Sequence, residues 1–131
     1  GGEVDPTNPT ASDNFRESGV YNGSEQNHYD VYIEAVQFAF VPGTSEPVRL
    51  PANSTVTFHV TSGDVIHGFE VVGTNINTMA VPGQVATVTV EFDEPGEYGL
   101  VCNEYCGSGH HTMEGSLDVV PPAEFNESEV N

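Results

Sequence analysis

The sequence predicts an all-β fold, an antiparallel Greek-key β-sandwich or barrel of roughly one hundred residues. Three observations predict it. Apolar and polar residues alternate with a period of two in about seven short segments. No segment carries the apolar stripe of an amphipathic helix. The 14 Gly and 9 Pro residues mark turns along the whole chain. At 131 residues and 37% hydrophobic content, the chain suits one domain with a modest core.

The predicted strands follow one another along the chain, with turn residues between them. The first lies in HYDVYIEAVQFAFVP, which places Val31, Ile33 and Ala35 on one face. The last, GSLDVV, is stopped by two consecutive prolines, Pro121 and Pro122. The other predicted strands lie in PVRLPANSTVTFHVTS, VIHGFEVVGTNIN and QVATVTVEFDEPGEYGLVC, the last of which holds two strands joined by a DEPG turn.

The two ends of the chain differ in composition from this middle part. Residues 1–27 are polar and lack an apolar period, so we expect a flexible N-terminal arm, or a linker from a missing membrane anchor. Residues 28–121 form the predicted domain, and residues 122–131 form an acidic, frayed C-terminal tail. Because no segment has the length of a membrane span, we expect a protein that is soluble or has lost its anchor.

The charge of the chain is strongly negative. Twenty acidic residues face only two basic ones, Arg16 and Arg49, which gives a net charge of −18 at pH 7. Repulsion from phosphates argues against nucleic acid as a partner. Since the acidic residues are spread over the whole chain and lysine is absent, we favour a surface adapted to high salt over a single docking face. The sequence thus predicts a halophilic host.

The segment CNEYCGSGHHTM holds the chemistry of the chain. Cys102, Cys106, His110 and Met113 form a C-x3-C-x3-H-x2-M pattern in a Gly-containing loop after a predicted strand. Thiolate, imidazole and thioether together favour a soft, redox-active metal, above all copper. A zinc ribbon would need a second cysteine pair, haem attachment needs C-x-x-C-H, and four-cysteine iron–sulfur clusters need more cysteines. The sequence therefore predicts a copper site.

The residues alone leave the remaining ligands open. A single blue copper needs one cysteine, two histidines and a weak axial methionine, so the second cysteine requires an explanation. His67, in DVIHGF, is the candidate for the second histidine. We assign His28, His59 and His111 to the surface or to the surroundings of the site. By itself, His67 would more often be a core histidine, and the cysteine pair could also be a disulfide of an exported protein.

From about residue 29 to 120, the sequence resembles the soluble domain of cytochrome c oxidase subunit II, particularly the branch of the B-type prokaryotic oxidases. The segments DVIHGFEVVGTNIN and PGQVATVTVEFDEPGEYGLVCNEYCGSGHHTMEGSLDVV carry the resemblance. It implies a cupredoxin-like fold for this β-sandwich or barrel, and a dinuclear copper centre, CuA. By this resemblance, Cys102 and Cys106 would bridge the two coppers, and His67 and His110 would each bind one. Met113 would be a weak axial ligand on the copper served by His67.

The resemblance also implies a place in a respiratory chain. The domain would lie on the outer face of the cell membrane, held there by an anchor outside this sequence. It would accept single electrons from a small soluble carrier, a cytochrome c or a blue-copper protein, and pass them to haem in subunit I, where oxygen is reduced. The chain would thus be part of an oxidoreductase complex, while the domain itself only transfers electrons.

Glu104 and the aromatic residues need separate comment within this resemblance. The backbone carbonyl of Glu104 would be the axial ligand of the second copper, and its carboxylate could reach a magnesium ion at a subunit interface. The chain contains no Trp, although many family members use one as the point of electron uptake. The candidates to replace it are Phe38, Phe40, Phe69 and Tyr105.

Other classes of protein remain as alternatives. The CuA domain of nitrous oxide reductase has a similar loop but typically carries Trp between its cysteines, where this chain has NEY. A mononuclear blue-copper carrier, a copper chaperone and an adhesion-type sandwich with a Cys102–Cys106 disulfide are the others. Copper stoichiometry and reversible one-electron chemistry distinguish these possibilities.

Overall fold

Ten strands in two five-stranded sheets make up the computed structural model, which describes residues 1–131. The all-β fold class is confirmed. The first sheet has the strand order β1-β2-β5-β8, with β3 paired to β2. Its strands are β1 (Gly19–Asn22), β2 (His28–Val36), β3 (Ala39–Val41), β5 (Ser54–Ser62) and β8 (Ala86–Phe92).

The second sheet has the strand order β4-β10-β9-β6-β7 and carries the cysteine loop at one end. Its strands are β4 (Val48–Pro51), β6 (His67–Val71), β7 (Asn77–Ala80), β9 (Gly96–Val101) and β10 (Glu114–Val120). The helical segments are four 3-10 turns of three residues each. No helix is long and apolar enough to cross a membrane.

Two strand pairs differ from the predicted antiparallel arrangement. The pairs β2–β5 and β4–β10 are parallel, while the others are antiparallel. Parallel neighbours need a long crossover connection, and strands β3 and β4 provide it between β2 and β5. Local alternation cannot reveal strand direction, because it reports only which face of a strand is buried.

The core lies between the sheets and is filled by the alternating residues of the central strands. Val31, Ile33 and Ala35 on β2 are fully buried, as the sequence predicted. Aromatic rings join the two sheets, since Phe69 on β6 packs edge-on against Phe40 and tilted against Phe58, with ring centroids 5.6 Å apart in both pairs. These contacts hold β6 in place near the end of the second sheet that carries the cysteine loop.

Both chain ends pack against the sheets, in contrast to the flexible arm and frayed tail expected from composition. In the arm, Val4 and Phe15 are buried against Val85, and β1 pairs with β2. In the tail, Phe125 packs edge-on against Tyr29, with ring centroids 5.6 Å apart, and the Asn131 amide donates to the Val20 carbonyl at 2.7 Å. These contacts join residues far apart in sequence, which is why composition gave no sign of them.

Candidate metal centre

The cysteine loop begins where β9 ends and closes where β10 begins. Strands β9 and β10 are antiparallel neighbours, with Val101 opposite Glu114. The Cys102 amide donates to the Met113 carbonyl at 3.3 Å, which closes the loop at its base. The loop therefore spans the end of the second sheet, and its two cysteines and Met113 turn into the core.

The sulfur atoms form the centre of the site. The Sγ atoms of Cys102 and Cys106 are 3.6 Å apart, and both cysteines are buried and free. The Met113 Sδ lies 3.7 Å from the Cys106 Sγ. On the outer side of the loop, the Nδ1 of His110 lies 3.5 Å from the same sulfur. The structure thus brings together the predicted donors of the loop.

His67 reaches the site from the neighbouring strand. It is the first residue of β6, which pairs with β9, and its ring is fully buried. Its Nδ1 lies 4.0 Å from the Cys102 Sγ. The donor atoms of His67, Cys102 and Cys106 all lie within 4.8 Å of one another, while His110 lies outside this mutual group and contacts Cys106. The two histidines therefore approach the sulfur pair at different cysteines.

Gly68 lets the loop approach β6 this closely. A Cβ at this position would collide with the side-chain oxygen of Asn103 and would lie 3.0 Å from its backbone nitrogen. The Asn103 amide in turn donates to the side-chain oxygen of Asn77 at 2.8 Å. A side chain at position 68 would thus push Cys102 away from His67.

The backbone carbonyl and the side chain of Glu104 have different surroundings. Its backbone carbonyl oxygen lies 3.1 Å from the Cys102 Sγ, next to the sulfur pair. Its side chain is exposed and makes no hydrogen bond or ion pair within the chain. The carbonyl is therefore placed among the candidate donors, and the carboxylate points to solvent.

The other histidines lie away from the sulfur pair. His28 and His59 lie on the first sheet, where their rings contact Thr57 at 3.0 Å and Asp30 at 2.8 Å, respectively. His111 is exposed, and its ring centroid is 5.6 Å from that of His110. Of the two adjacent histidines, His110 is therefore the one that contacts a cysteine.

The aromatic candidates fall into two groups. Phe40 and Phe69 are buried in the core. Tyr105 is 76% exposed, and its ring centroid lies 5.8 Å from that of His110. Phe38 is half-buried beside the loop, since a Cβ on Gly107 would lie 3.0 Å from its ring. Tyr105 and Phe38 are thus the two that reach the surface near the sulfur pair.

An aspartate that the sequence did not single out orients His67. The Nε2 of His67 donates to the Asp64 carboxylate at 2.7 Å, and this bond leaves Nδ1 free as a donor to a metal. Burial by itself would raise the pKa of Asp64, but hydrogen bonds from the Gln37 amide, the His67 ring and the Val65 amide hold that pKa below its usual value. A carboxylate three residues before a candidate histidine was the signal that could have revealed it.

The environment of Cys106 disfavours a bare thiolate. Burial, followed by the effect of the neighbouring Cys102 thiol, raises the pKa of Cys106 to about 11. A cation bound between the sulfurs would reverse this effect, because it stabilises the thiolate form. The site therefore combines soft donors, burial and a need for positive charge, which suits copper.

Comparison with known proteins identifies the family. The family profile described as cytochrome C oxidase subunit II, periplasmic domain, matches residues 21–120. This chain belongs to that family. A cytochrome c oxidase subunit 2 of Thermus thermophilus is 47% identical over 93 residues, which cover 71% of this chain and 67% of the relative. A probable cytochrome c oxidase subunit 2 of Rickettsia prowazekii is 38% identical over 79 residues, which cover 60% of this chain and 25% of the relative.

Solved structures of the family agree with the fold. A chain of a heme-copper terminal oxidase dimer, solved by cryo-EM, shares 37% identity with a TM-score of 0.72, covering 79% of this chain and 71% of that one. The periplasmic domain of subunit II (CoxB) of Bradyrhizobium japonicum has a TM-score of 0.67 at 21% identity, covering 73% of this chain and 86% of that one. The chain spans about half the length of another Thermus thermophilus subunit 2, at 54%.

Proposed function

We propose that this chain is the electron-transfer domain of a terminal respiratory oxidase, and that its sulfur pair holds a dinuclear copper centre. The observation that carries the proposal is that two histidines contact the two buried, adjacent cysteines, His67 at Cys102 and His110 at Cys106. The family relationship supports it. Ligands of one tetrahedral zinc would all be mutual neighbours, whereas His110 lies outside the mutual group of His67, Cys102 and Cys106.

In this proposal, the donor residues have different roles. Cys102 and Cys106 would hold both metals with their thiolates, and the Nδ1 atoms of His67 and His110 would each bind one. Met113 and the backbone carbonyl of Glu104 would be weaker donors. When bound, such a centre supplies reversible one-electron chemistry with the charge shared between two metals.

The protein's own contribution is a fixed set of donors, of which four are shielded from water. Cys102, Cys106 and Met113 are 7%, 5% and 2% exposed, and the His67 ring is fully buried. Asp64 holds the orientation of His67 by one hydrogen bond. Because these groups are packed in the core, their positions change little with the charge of the site, and this favours rapid electron transfer.

The partners follow from the same proposal. Subunit I of the oxidase would receive the electrons and reduce oxygen at its haem centre. A small soluble carrier would deliver them at the outer face of the membrane. Tyr105 and Phe38, which reach the surface near the sulfur pair, are the candidates for electron uptake. We further propose that the exposed Glu104 carboxylate contributes to a magnesium site at the subunit interface. Unchanged magnesium content of the assembled oxidase after Glu104→Gln would contradict this last point.

Electron paramagnetic resonance of the copper-loaded protein, combined with a copper-to-protein ratio, tests the main proposal. We expect two coppers per chain and a hyperfine pattern from one electron shared by two copper nuclei. A single-copper pattern would indicate a blue-copper carrier instead. Tight copper binding without reversible reduction would indicate a chaperone, and zinc bound in preference to copper would overturn the proposal.

A further inference from the structure

The short turn between β2 and β3 contacts both halves of the candidate centre, the cysteine loop on one side and His67 with Asp64 on the other. Gln37 lies in this turn, directly after β2. Its side-chain Nε2 donates to the backbone carbonyl of Cys106 at 2.6 Å. Its backbone amide donates to the Asp64 carboxylate at 2.7 Å, and the other oxygen of that carboxylate accepts from the His67 ring, also at 2.7 Å. One residue thus connects the cysteine loop with the histidine of β6.

Phe38, the next residue of the turn, packs against the same loop. A Cβ on Gly107 would lie 2.7 Å from the Gln37 Nε2 and 3.0 Å from the Phe38 ring. A Cβ on Gly109 would collide with the same ring. Both glycines therefore provide the space in which the turn lies against the loop. Gly109 has an ordinary backbone conformation, with φ of −92°, so it is required here for space and not for its own dihedral angles.

We propose that Gln37 is a positioning residue that couples the two halves of the metal centre. Its side chain holds the loop at Cys106, and its backbone holds Asp64 in the position that fixes the His67 ring. This inference rests on the proposed function only in that it takes Cys106 and His67 as metal ligands. The contacts themselves join atoms of the chain alone.

The arrangement is specific to these side chains. Glutamine offers an amide donor of the right length, and nothing else in the chain donates to the Cys106 carbonyl. The loop's own hydrogen bonds are local, such as His110 N–H to the Gly107 carbonyl at 3.1 Å and Thr112 N–H to the Gly109 carbonyl at 3.0 Å. The side chain of Asn103 ties the first part of the loop to Asn77 and Glu70. Without the bond from Gln37, the part that contains Cys106 would be held mainly by the end of the loop at β10 and by packing.

Amide hydrogen exchange of the full, metal-free chain tests the side-chain contact. Gln37→Met keeps the length of the side chain and the backbone amide but removes the donor. We expect exchange at the His110 and Thr112 amides to accelerate by roughly two- to tenfold, the range for one lost hydrogen bond, while the β5 amides stay unchanged. The control is Gln26→Met, because Gln26 is exposed and makes no side-chain hydrogen bond. Unchanged exchange in the loop would overturn the proposal.

Asp64→Ala tests the coupling between the two halves. We expect faster exchange at the Gln37 amide, which loses its acceptor, and also at His110 and Thr112 across the turn. The double variant with Gln37→Met should add less than the two single effects together, because the variants interrupt one chain of contacts. Additive effects, or unchanged amide exchange in the loop of the Asp64→Ala variant, would show that the two halves are held independently.

Gly109→Ala tests the turn without changing any hydrogen-bonding side chain. The added methyl group should displace Phe38 and reproduce the faster loop exchange of Gln37→Met. In the copper-loaded chain, both variants should release copper to a chelator faster than the Gln26→Met control. Because exchange is measured on metal-free protein, its result does not depend on how many coppers the chain binds. Copper release equal to that of the control would refute a role in positioning the metal ligands, whatever the exchange result.

Discussion

At the scale of single residues, the site depends on which atoms face the sulfur pair. The Nδ1 of His67 faces Cys102, and the Nδ1 of His110 faces Cys106, so each cysteine has its own nearest imidazole. Met113 lies against Cys106 and is almost fully buried. The cysteines and the methionine therefore have different expected roles, since a bridge holds two metals and a thioether tunes one.

Cys106→Ser should abolish the dinuclear centre. A hydroxyl is a poor ligand for copper compared with a thiolate, and one remaining thiolate would hold at best a single copper. We expect the copper-to-protein ratio to fall by about half or more, with a change of the paramagnetic spectrum to a single-copper pattern. The matched control is Ser108→Ala in the same loop. An unchanged spectrum in the Cys106 variant would contradict the assignment of this residue as a bridge.

Met113→Leu should keep the copper but shift the reduction potential. Leucine has a similar volume, so the buried position should remain filled at a cost below about 1.5 kcal/mol. The thioether is expected to be a weak ligand that adjusts the electronic properties of the site without holding the metal. Voltammetry and copper analysis of the same sample measure both effects. Loss of copper would show that Met113 has a structural role in holding the metal.

At the scale of secondary-structure elements, three segments place the donors. Strand β6 supplies His67, the β9–β10 loop supplies the sulfurs, and the turn after β2 contacts both through Gln37. Phe69 on β6 joins these elements to the core, since it packs against Phe40 on β3 and Phe58 on β5. Stability of the core and geometry of the site are therefore linked through β6.

Phe69→Ala should reduce the free energy of unfolding by about 3–5 kcal/mol, because it leaves a cavity where three aromatic rings meet. Denaturant unfolding of the metal-free chain measures the change. Phe125→Ala is the comparison, since Phe125 is half-buried in the C-terminal tail and its loss should cost less. A loss below about 1 kcal/mol for Phe69→Ala would mean that the core collapses onto the space, or that the sheets are held together elsewhere.

The docking of the C-terminal tail should depend on pH through Glu129. A hydrogen bond from the Asn126 amide, opposed by partial burial and aided by Arg49, lowers the pKa of Glu129 below its ordinary value of 4.5. A lowered pKa means that the ionised form favours the turn at residues 126–129 and, through Arg49, the docking of this turn. This contribution is complete above about pH 4.5, the pKa of the undocked carboxyl, and is lost as the pH falls through the lower value of the docked tail.

Exchange of the Asn131 amide, which donates to Val20, reports on this docking. We expect its protection to fall on acidification in the native chain. Glu129→Gln, which cannot ionise, should show weaker protection at neutral pH and little change through the same acid range. Equal pH dependence in both proteins would assign the effect to another carboxyl group.

At the scale of the whole molecule, the net charge of −18 dominates. Both arginines of the chain already have partners. Arg49 forms an ion pair with Glu129 at 2.7 Å, and the guanidinium of Arg16 lies 3.9 Å from the ring centroid of Tyr21. Most carboxylates therefore have no basic partner within the chain. Self-repulsion of this kind acts against a compact fold and is reduced by salt, which is consistent with the proposal that the host is halophilic.

Thermal stability should rise with sodium chloride concentration at neutral pH, since screening shortens from about 10 Å at 0.1 M to about 3 Å at 1 M. Near pH 4.1, the isoelectric point of the sequence, the net charge is close to zero, and the salt effect should largely disappear. Calorimetry at both pH values measures the difference. Equal salt dependence at the two values would assign the effect to preferential exclusion of salt and not to charge screening.

The sequence by itself determined the class of fold and the chemistry of the cysteine loop. Alternation over a few residues reports burial on one face of a strand, and four donors within twelve positions share one loop whatever the rest of the chain does. Tertiary structure alone decided the parallel pairs and the packing of both chain ends. It also brought His67, which the sequence offered only as a candidate, next to Cys102. It also placed Asp64 and Gln37, whose roles depend on contacts between separate strands. Such contacts arise from pairing across long stretches of chain, and no local pattern of residues encodes them.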